Sequence, residues 1–416
     1  MAIADLIGDM GRSIGWASAM RAAGLLTRWL PIPQPTMLVG PGASARLGHA
    51  VATFGHQKIL LVTDHSIARL GLPGALIKAL QEDGTDFVVF DEITPDAPIP
   101  VIEKGIAVFK TADCDAIIAF GGGSVMDAAK AIALSVANHK HPRKLVGYFR
   151  GLHAPLPLYA VPTTAGTGSE VTVAAVIADP QHGKKLLIAD TRLVPRMAAL
   201  DPSLMTGLPK DITATTGMDA LTHAIEAFIS RWSTGYTDRM ALAAVGLIYE
   251  NLRTVYASGE DLAAREKMAL AATYAGQAIT RTSVGYVHAI AHQLGGKYHT
   301  AHGLANAIIL PHVLKYYRPA IDDRLAILAV RARVGARNEP IDVLARKFLD
   351  SVSELNHDLG IPDRLQALRK SDIPALAQAA CHEAHTNYPV PRYMSVEICE
   401  ELLRQVVPKP ADRKRL

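Results

Sequence analysis

Three kinds of feature are scarce or missing in this sequence, and each absence argues against a class of protein. Only three cysteines occur, Cys114, Cys381 and Cys399, and none forms a Cys-x-x-Cys pair. This scarcity argues against disulfide and cysteine–zinc frameworks and favours a reducing compartment, so we expect a cytoplasmic protein. No apolar run approaches the roughly 18 residues that a membrane-spanning helix needs. The basic residues are scattered and do not cluster with aromatic side chains, which argues against nucleic-acid binding.

The remaining composition is that of an ordinary globular protein. The chain has 416 residues, of which 49% are hydrophobic and 20% charged, and its net charge is +4. This length suffices for two or three domains with large cores. Residues 1–35 are interpreted as an amphipathic helical extension, because Ile3, Leu6, Met10 and Ile14 approximate a helical stripe. We expect this helix to pack on its own protein or on a partner subunit in a homodimer or larger homo-oligomer; a membrane-surface role is the alternative.

Residues 36–205 alternate between strand-like and helix-like segments. Short apolar runs such as Lys58–Thr63 and Asp115–Phe120 are separated by amphipathic helical stretches. This alternation is typical of a mostly parallel sheet with helices on both sides. After about Asp201 the strand signals vanish and only helix-period segments continue. We therefore predict an α/β domain over residues 36–205 and an all-helical domain over residues 206–416.

A glycine turn, Gly121–Asp127, directly follows the apolar strand at residues 115–120 and opens a helix. Such a turn brings backbone N–H groups and the helix dipole to a phosphate. The residues of this turn, through Asp127, are therefore candidate cofactor contacts, although the spacing is not Gly-x-Gly-x-x-Gly. Ser124 and Asp127 also match a capping box, in which each side chain caps a backbone N–H. The two interpretations are compatible.

Two further segments lie at the carboxyl ends of predicted strands, where ligands bind in such sheets. Asp64 is placed to bind the adenosine ribose hydroxyls and to repel a 2′-phosphate, which favours NAD over NADP; a helix N-cap or turn role is equally open. The loop Val161–Val171 contains two glycines and a high density of hydroxyl groups. Its hydroxyl side chains are Thr163, Thr164, Thr167 and Ser169. They are candidates to line a polar cofactor groove.

Histidines concentrate in the stretch Gly285–Gly303. This stretch contains His288, His292, His299 and His302, with a Gly-Gly pair that is expected to break the helix before His302. Earlier in the chain, Asp219 and His223 stand four residues apart, a metal-ligand spacing on one helical face. Asp219, His223, His288 and His302 together form a carboxylate and three imidazoles, a set that suits Fe²⁺ or Zn²⁺.

Four motifs in this order resemble the iron-containing (group III) alcohol dehydrogenases. They are the glycine-serine turn, the Pro-Thr-Thr-Ala-Gly-Thr-Gly-Ser-Glu loop, Gly-Met-Asp-Ala-Leu-Thr-His, and the His-x3-His stretch that ends in His-Gly. The resemblance covers residues from about Thr36 to Val407. It implies an α/β dinucleotide-binding domain and a helical domain, with the active site in the cleft between them.

The resemblance also implies roles for individual positions. Asp219, His223, His288 and His302 match the family's metal ligands, and His292 matches a histidine beside the metal that is usually not a ligand. The matching cofactor positions are Asp64, Gly122, Gly123, Ser124, Thr163, Thr164 and Lys185. The adjacent Lys184 is an alternative to Lys185. Many relatives have Asn-Pro where this chain has Asp96-Ala97, and the compact members have no counterpart of the first 30 residues.

The implied activity is reversible oxidation of a small or medium alcohol by NAD⁺ to an aldehyde or ketone. The metal lowers the pKa of the alcohol oxygen, the cofactor takes the hydride, and His292 is the candidate to pass the proton outward. The alternatives are a glycerol-dehydrogenase-like enzyme, a dehydroquinate-synthase-like enzyme and a non-catalytic assembly subunit. Few Lys/Arg residues near the motifs argue against the synthase, and a complete ligand set argues against the assembly subunit.

Overall fold

The structure, a computed structural model, describes residues 30–408, which form two compact units. The α/β unit contains Pro31–Thr213 and Thr254–Thr280, and the helical unit contains Ala214–Arg253 and the residues from Arg281 onward. Of the predicted helical extension at residues 1–35, residues 1–29 lie outside the described residues. The α/β unit is therefore built from two separate segments of the chain. The domain boundary that we placed at residues 205 and 206 stays a prediction.

The α/β unit contains a six-stranded parallel sheet with the strand order β1-β9-β6-β4-β2-β3. Its strands are β1 (Thr36–Val39), β2 (Lys58–Val62), β3 (Asp86–Phe90), β4 (Ala116–Gly121), β6 (Leu158–Pro162) and β9 (Met197–Leu200). Every pairing between these strands is parallel. The predicted α/β fold class is thus confirmed, and the carboxyl ends of β2, β4 and β6 lie along one edge of the sheet.

The apolar strands pack on both faces of this sheet. Ile117 of β4 contributes to one buried core, whereas its neighbour Ile118 contributes to the other. Because consecutive side chains of a strand point to opposite faces, a strand covered on both sides must be apolar throughout. The helices of the α/β segment are α1 (Ala43–Ala52), α2 (His65–Arg69), α3 (Gly74–Glu82), α4 (Ile99–Thr111) and α5 (Gly123–Asn138).

A second sheet of three strands, β5-β8-β7, was not predicted. It is formed by β5 (Gly147–Tyr148), β7 (Ala174–Asp179) and β8 (Lys184–Ala189). β7 and β8 pair antiparallel. β7 alternates between half-buried and buried residues and β8 passes from exposed through half-buried to buried residues, unlike the continuous apolar runs of the large sheet. Strands of two to six residues with this weak pattern carry little sequence signal.

The chain beyond β9 is helical, as predicted. Its helices are α6 (Lys210–Ile229), α7 (Gly235–Ala257), α8 (Leu262–Thr282), α9 (Tyr286–Tyr298), α10 (His302–Arg331), α11 (Ile341–Asp358), α12 (Ile373–Asn387) and α13 (Val396–Gln405). The expected break at Gly295-Gly296 is wrong, because α9 continues to Tyr298 and ends where His299 adopts a left-handed φ of 55°. Between residues 30 and 408 there is no helix with the length and apolarity required to cross a membrane.

Candidate metal centre and cofactor-binding turns

The four predicted metal ligands lie close together in the helical unit. Asp219 and His223 stand one turn apart on α6, His288 lies on α9, and His302 is the first residue of α10. Each residue offers one ligand atom, and these four atoms all lie within 4.8 Å of one another. Asp219 Oδ1 is 3.8 Å from His288 Nε2 and 3.6 Å from His302 Nε2. The fold therefore brings together the carboxylate and the three imidazoles singled out in the sequence.

Burial and mutual contact set the protonation states in this cluster. Asp219, His223 and His288 are buried, and His302 is half-buried. Burial by itself raises the pKa of Asp219, but the three imidazoles and a side-chain hydrogen bond outweigh it and lower that pKa to about 2. Burial lowers the pKa of His288 well below its ordinary value. A carboxylate and neutral imidazoles are the forms that donate lone pairs to a cation.

The spacing of the ligand atoms fits a divalent cation. Tetrahedral bonds of about 2.1 Å place neighbouring ligand atoms about 3.4 Å apart. The separations from Asp219 Oδ1 to His288 Nε2 and to His302 Nε2, 3.8 and 3.6 Å, are close to this value. Three nitrogen ligands and one oxygen ligand suit Fe²⁺ and Zn²⁺ alike.

Glu226, which was not predicted from the sequence, supports this cluster. His288 Nδ1 lies 2.6 Å from Glu226 Oε2, and the backbone N–H groups of Gly285 and Val287 donate to the same carboxylate at 2.9 Å. With Nδ1 directed at the carboxylate, His288 Nε2 keeps its lone pair for a metal. Burial raises the pKa of Glu226 to about 7, although the two backbone donors favour its charged form.

Asn306 is a second unpredicted neighbour, one turn after His302 on α10. It is fully buried, and its Nδ2 donates to Asp219 Oδ1 at 2.7 Å. The same nitrogen lies 3.2 Å from Nε2 of His288 and 3.2 Å from Nε2 of His302. Two amide hydrogens cannot serve three acceptors at once. The shorter bond to Asp219 therefore fixes the orientation of that carboxylate toward the imidazoles.

His292 lies beside the four-ligand cluster. Its ring stacks on His302 with centroids 5.4 Å apart and meets His288 edge-on at 6.0 Å. Its Nδ1 lies 2.6 Å from Glu383 Oε1 on α12. His299, to which the sequence assigned no role, is exposed at the end of α9.

The glycine turn and the hydroxyl loop lie side by side in the α/β unit, because β4 and β6 are neighbours in register. Thr163 N donates to Gly121 O at 3.1 Å. A Cβ atom at Gly123 would lie 2.6 Å from Thr167 Cγ2, and one at Gly122 would lie 3.4 Å from Thr164 Oγ1. The glycines therefore allow two loops to meet at the carboxyl edge of the sheet, where the predicted cofactor contacts gather.

The predicted capping box is wrong. α5 begins at Gly123, its N-cap Gly122 makes no side-chain cap bond, and Ser124 Oγ accepts from Asp96 N at 3.0 Å. Asp127 accepts from Ser169 Oγ at 2.8 Å and from Val176 N at 2.9 Å, and burial raises the pKa of its carboxyl group. With both carboxylate oxygens bonded within the protein, the cofactor contact of Asp127 stays a prediction.

A fully buried lysine joins the glycine-turn helix to the hydroxyl loop. Lys130 Nζ, on α5, lies 2.9 Å from four acceptors, Ser169 Oγ, Thr172 O and Oγ1, and Ala174 O, which share its three hydrogens. Burial lowers the pKa of Lys130 to about 8, and the carboxylate of Asp127 acts in the opposite direction. The four acceptors around Nζ favour the charged ammonium group, which joins the two predicted cofactor segments.

Asp64 caps a helix, which was one of its two predicted roles. Its Oδ1 accepts from Ile67 N at 2.9 Å, at the start of α2. The cap occupies one carboxylate oxygen, and the side chain is half-buried at the carboxyl end of β2. A cap and a ribose contact are compatible because a carboxylate has two oxygens.

The structure distinguishes the two neighbouring lysines at the predicted cofactor position. Lys185 Nζ forms an ion pair with Asp96 Oδ1 at 2.8 Å and is only 12% exposed, whereas Lys184 is exposed. Asp96 and Ala97 have left-handed φ values of 67° and 47°. Proline requires a φ near −65°, so the backbone at Ala97 is incompatible with the proline that the family resemblance would place there.

Both the α/β segment and the helical segment of the chain match known protein families. Residues 34–202 match the family model "Iron-containing alcohol dehydrogenase", and residues 213–407 match "Fe-containing alcohol dehydrogenase family, C-terminal". Alcohol dehydrogenase 4 of Saccharomyces cerevisiae is 38% identical over 361 residues, which cover 86% of this chain and 93% of that protein.

Two further relatives have more specific names. The NAD-dependent methanol dehydrogenase of Bacillus methanolicus is 35% identical over 375 residues, which cover 90% of this chain and 98% of that protein. A crystal structure of a 1,3-propanediol oxidoreductase has a TM-score of 0.87 at 35% identity, and the match covers 91% of this chain and 100% of that one. These matches support a metal and NAD as cofactors and an oxidoreductase activity on small alcohols. The chain belongs to the iron-containing alcohol dehydrogenase family.

Proposed function

We propose that this protein interconverts short-chain primary alcohols and their aldehydes with NAD(H), using Fe²⁺ held by Asp219, His223, His288 and His302. Zn²⁺ fits the same ligands and is the alternative ion. The observation that carries the proposal is the convergence of four ligand atoms within 4.8 Å in a largely buried site. A buried cluster of polar groups lowers the stability of a fold unless a partner compensates it.

The cofactors supply the part of the chemistry that side chains cannot. When bound, such a cation lowers the pKa of an adjacent alcohol oxygen, and NAD⁺ takes up the hydride. The protein's contribution is to orient the ligands and to handle the proton. Glu226 and Asn306 fix the orientations of His288 and Asp219 through bonds of 2.6 and 2.7 Å.

His292 is proposed to accept the proton that the alcohol loses. Its stacking on His302 places it beside the proposed ligands. Nδ1 is bonded to Glu383, so Nε2 is the ring nitrogen left to receive the proton. The imidazole suits this role because one ring nitrogen can accept a proton while the other keeps its hydrogen bond.

The cofactor is proposed to bind along the carboxyl edge of the parallel sheet. Its phosphates would meet the backbone N–H groups at Gly122, Gly123 and Ser124, at the start of α5. The remaining proposed contacts are Asp64, Asp127, Thr163, Thr164, Thr167 and Lys185. The carboxylate of Asp64 is the basis for proposing NAD ahead of NADP.

The proposal is tested by purifying the protein anaerobically, determining its metal content, and following NADH and NADPH formation across a panel of short alcohols. We expect NADH formation in the Fe²⁺-loaded protein. Absence of activity in both Fe²⁺- and Zn²⁺-loaded samples would contradict the dehydrogenase function. His292→Ala is expected to lower kcat while metal content stays near wild type; loss of metal would instead identify His292 as a ligand.

Assembly and compartment are separate proposals. A homodimer or larger homo-oligomer is proposed, and light scattering of the full chain measures it directly. Cytoplasmic location is proposed from the three cysteines, which are free and buried in the described structure. Cell fractionation tests it.

A further inference from the structure

Glu383 occupies an unusual place in the helical unit. It lies on α12, and three side chains converge on its carboxylate. His292 Nδ1 lies 2.6 Å from Oε1, Tyr388 Oη donates to Oε1 at 2.6 Å, and Gln293 Nε2 donates to Oε2 at 2.7 Å. The Glu383 side chain is only 22% exposed and that of His292 only 16%. Sequence inspection gave no indication of this contact, because 91 residues separate His292 from Glu383.

These contacts determine the protonation state of Glu383. Burial raises the pKa of its carboxyl group, but electrostatic attraction to His292 and hydrogen bonds from His292, Tyr388 and Gln293 outweigh burial and lower that pKa. Glu383 is therefore a carboxylate at neutral pH and carries no hydrogen to donate. The hydrogen in its bond with His292 must then belong to Nδ1 of the imidazole.

This bond fixes the tautomer of His292. A neutral imidazole carries one hydrogen, and if that hydrogen is on Nδ1, Nε2 holds a lone pair. Within residues 30–408, Nε2 of His292 has no hydrogen-bond partner, so it is available to accept a proton. The same bond holds the ring against His302, with centroids 5.4 Å apart.

We infer that Glu383 is the positioning residue of the catalytic histidine. It holds His292 in the Nδ1–H tautomer, with Nε2 ready to accept the proton released by the alcohol. The inference rests on the proposed function, since it assigns a role to Glu383 through His292. As the alcohol loses its proton to Nε2, the imidazole becomes an imidazolium, and the adjacent carboxylate stabilises that charge without taking the proton.

The alternative is a structural role in which Glu383 only ties α12 to α9. Glu383→Gln distinguishes the positioning role from the structural role, because glutamine keeps the size of the side chain and its capacity for hydrogen bonds. The amide can donate to Nδ1, which allows the opposite tautomer with the hydrogen on Nε2. We expect kcat to fall about 10²-fold, within the range that positioned proton transfer contributes, while metal content and the thermal midpoint stay near wild type. Glu383→Asp, which keeps the carboxylate, is expected to recover part of kcat.

A double variant shows whether Glu383 acts through His292. In the His292→Ala background, adding Glu383→Gln should lower kcat no further, because the partner is already gone. The exposed Glu401→Gln on α13 controls for the loss of one negative charge. Two results would overturn the inference. One is an unchanged kcat in Glu383→Gln. The other is a double variant whose loss in kcat equals the product of the losses in the two single variants.

A spectroscopic measurement tests the tautomer independently of turnover. The ¹⁵N chemical shifts of the His292 ring, assigned by difference with His292→Ala, should show a hydrogen on Nδ1 in the wild type at neutral pH. They should shift toward the other tautomer in Glu383→Gln. A hydrogen on Nε2 in the wild type contradicts the inference even if the enzyme is active. An inactive wild type with the expected shifts contradicts the proposed function and leaves the positioning of His292 established.

Discussion

Glu226 and His288 form a buried pair in which Oε2 of the carboxylate lies 2.6 Å from Nδ1 of the imidazole. If His288 binds a metal through Nε2, this pair makes the ligand more basic and fixes its ring. We predict that Glu226→Gln lowers metal affinity about 10- to 100-fold, as expected for loss of such an orienting carboxylate. Competitive titration with a chelator measures the change.

Gly285 offers an independent perturbation of the same pair. A Cβ atom at this position would lie 2.7 Å from Glu226 Oε1, so Gly285→Ala must displace the carboxylate. We predict that Gly285→Ala weakens metal binding in the same direction as Glu226→Gln, whereas the exposed Glu401→Gln has no effect. If Glu226→Gln and Gly285→Ala both bind metal as tightly as the wild type, the pair formed by Glu226 and His288 has only a structural role.

The two roles of Asp64 can be separated by one substitution. Asn caps helices about as well as Asp, so Asp64→Asn keeps the cap on Ile67 N but removes the negative charge. We predict that the ratio of kcat/KM for NADP to that for NAD rises, because repulsion of the 2′-phosphate is lost. Asp64→Ala should in addition lower the free energy of unfolding by about 1 kcal/mol. An unchanged ratio in Asp64→Asn would leave Asp64 with only its capping role.

The adjacent lysines provide a matched pair of variants. Lys185 is mostly buried and paired with Asp96, whereas Lys184 is exposed. We predict that Lys185→Met raises KM for NAD roughly 10-fold or more, as expected when a charge-assisted hydrogen bond worth about 1.5–3 kcal/mol is lost. Lys184→Met should change KM for NAD by less than about twofold. If Lys184→Met raises KM for NAD more than Lys185→Met does, the cofactor contact belongs to Lys184.

A pH-dependent contribution to stability is expected at His312. Burial lowers the pKa of His312 below its ordinary value of 6.5, with Lys315 acting in the same direction and Gln405 opposing it. Between the lowered pKa and 6.5 the unfolded chain binds the proton more readily than the folded chain does. The contribution of neutral His312 to stability is therefore complete above pH 6.5 and is lost as the pH falls through the folded-state pKa.

Comparison with His312→Gln isolates this effect. We predict that acidification from pH 7.5 to pH 5 lowers the urea midpoint of the wild type more than that of the variant. The variant retains every other titrating group, so the difference between the two reports His312 alone. Equal losses would show that His312 keeps its ordinary pKa in the folded protein.

The large sheet could be read from the sequence because each strand is an apolar run covered on both faces. The predicted run Lys58–Thr63 contains β2, and the run at residues 115–120 lies within one residue of β4. The local sequence pattern did not predict the elements whose bounds depend on tertiary contacts. Helix α10 runs from His302 to Arg331 with Pro311 and Pro319 inside it, because packing outweighs the local cost of proline.

The residues of the site likewise fall into those that a local sequence pattern indicates and those that only tertiary packing brings together. Spacing predicted Asp219 with His223, and Glu226 follows at the next position on that helical face, three residues after His223. That periodicity was a signal that could have identified Glu226. Asn306 likewise stands four residues after His302. Glu383 had no comparable signal, since its contact with His292 depends on two distant helices packing together.

The α/β unit is built from two separate segments of the chain, so it cannot finish folding before its second segment has been synthesised. The hydroxyl loop depends on residues far downstream: Glu170 Oε1 accepts from Thr273 Oγ1 at 2.7 Å, and a Cβ atom at Gly168 would lie 2.5 Å from Ala272 O. A nascent chain that has reached only residue 213 has the nine strands described between residues 30 and 408 but lacks α8. During synthesis the proposed nucleotide-binding edge therefore cannot reach its final packing until about residue 280 has emerged from the ribosome, and an isolated fragment ending near residue 205 should not retain NAD binding.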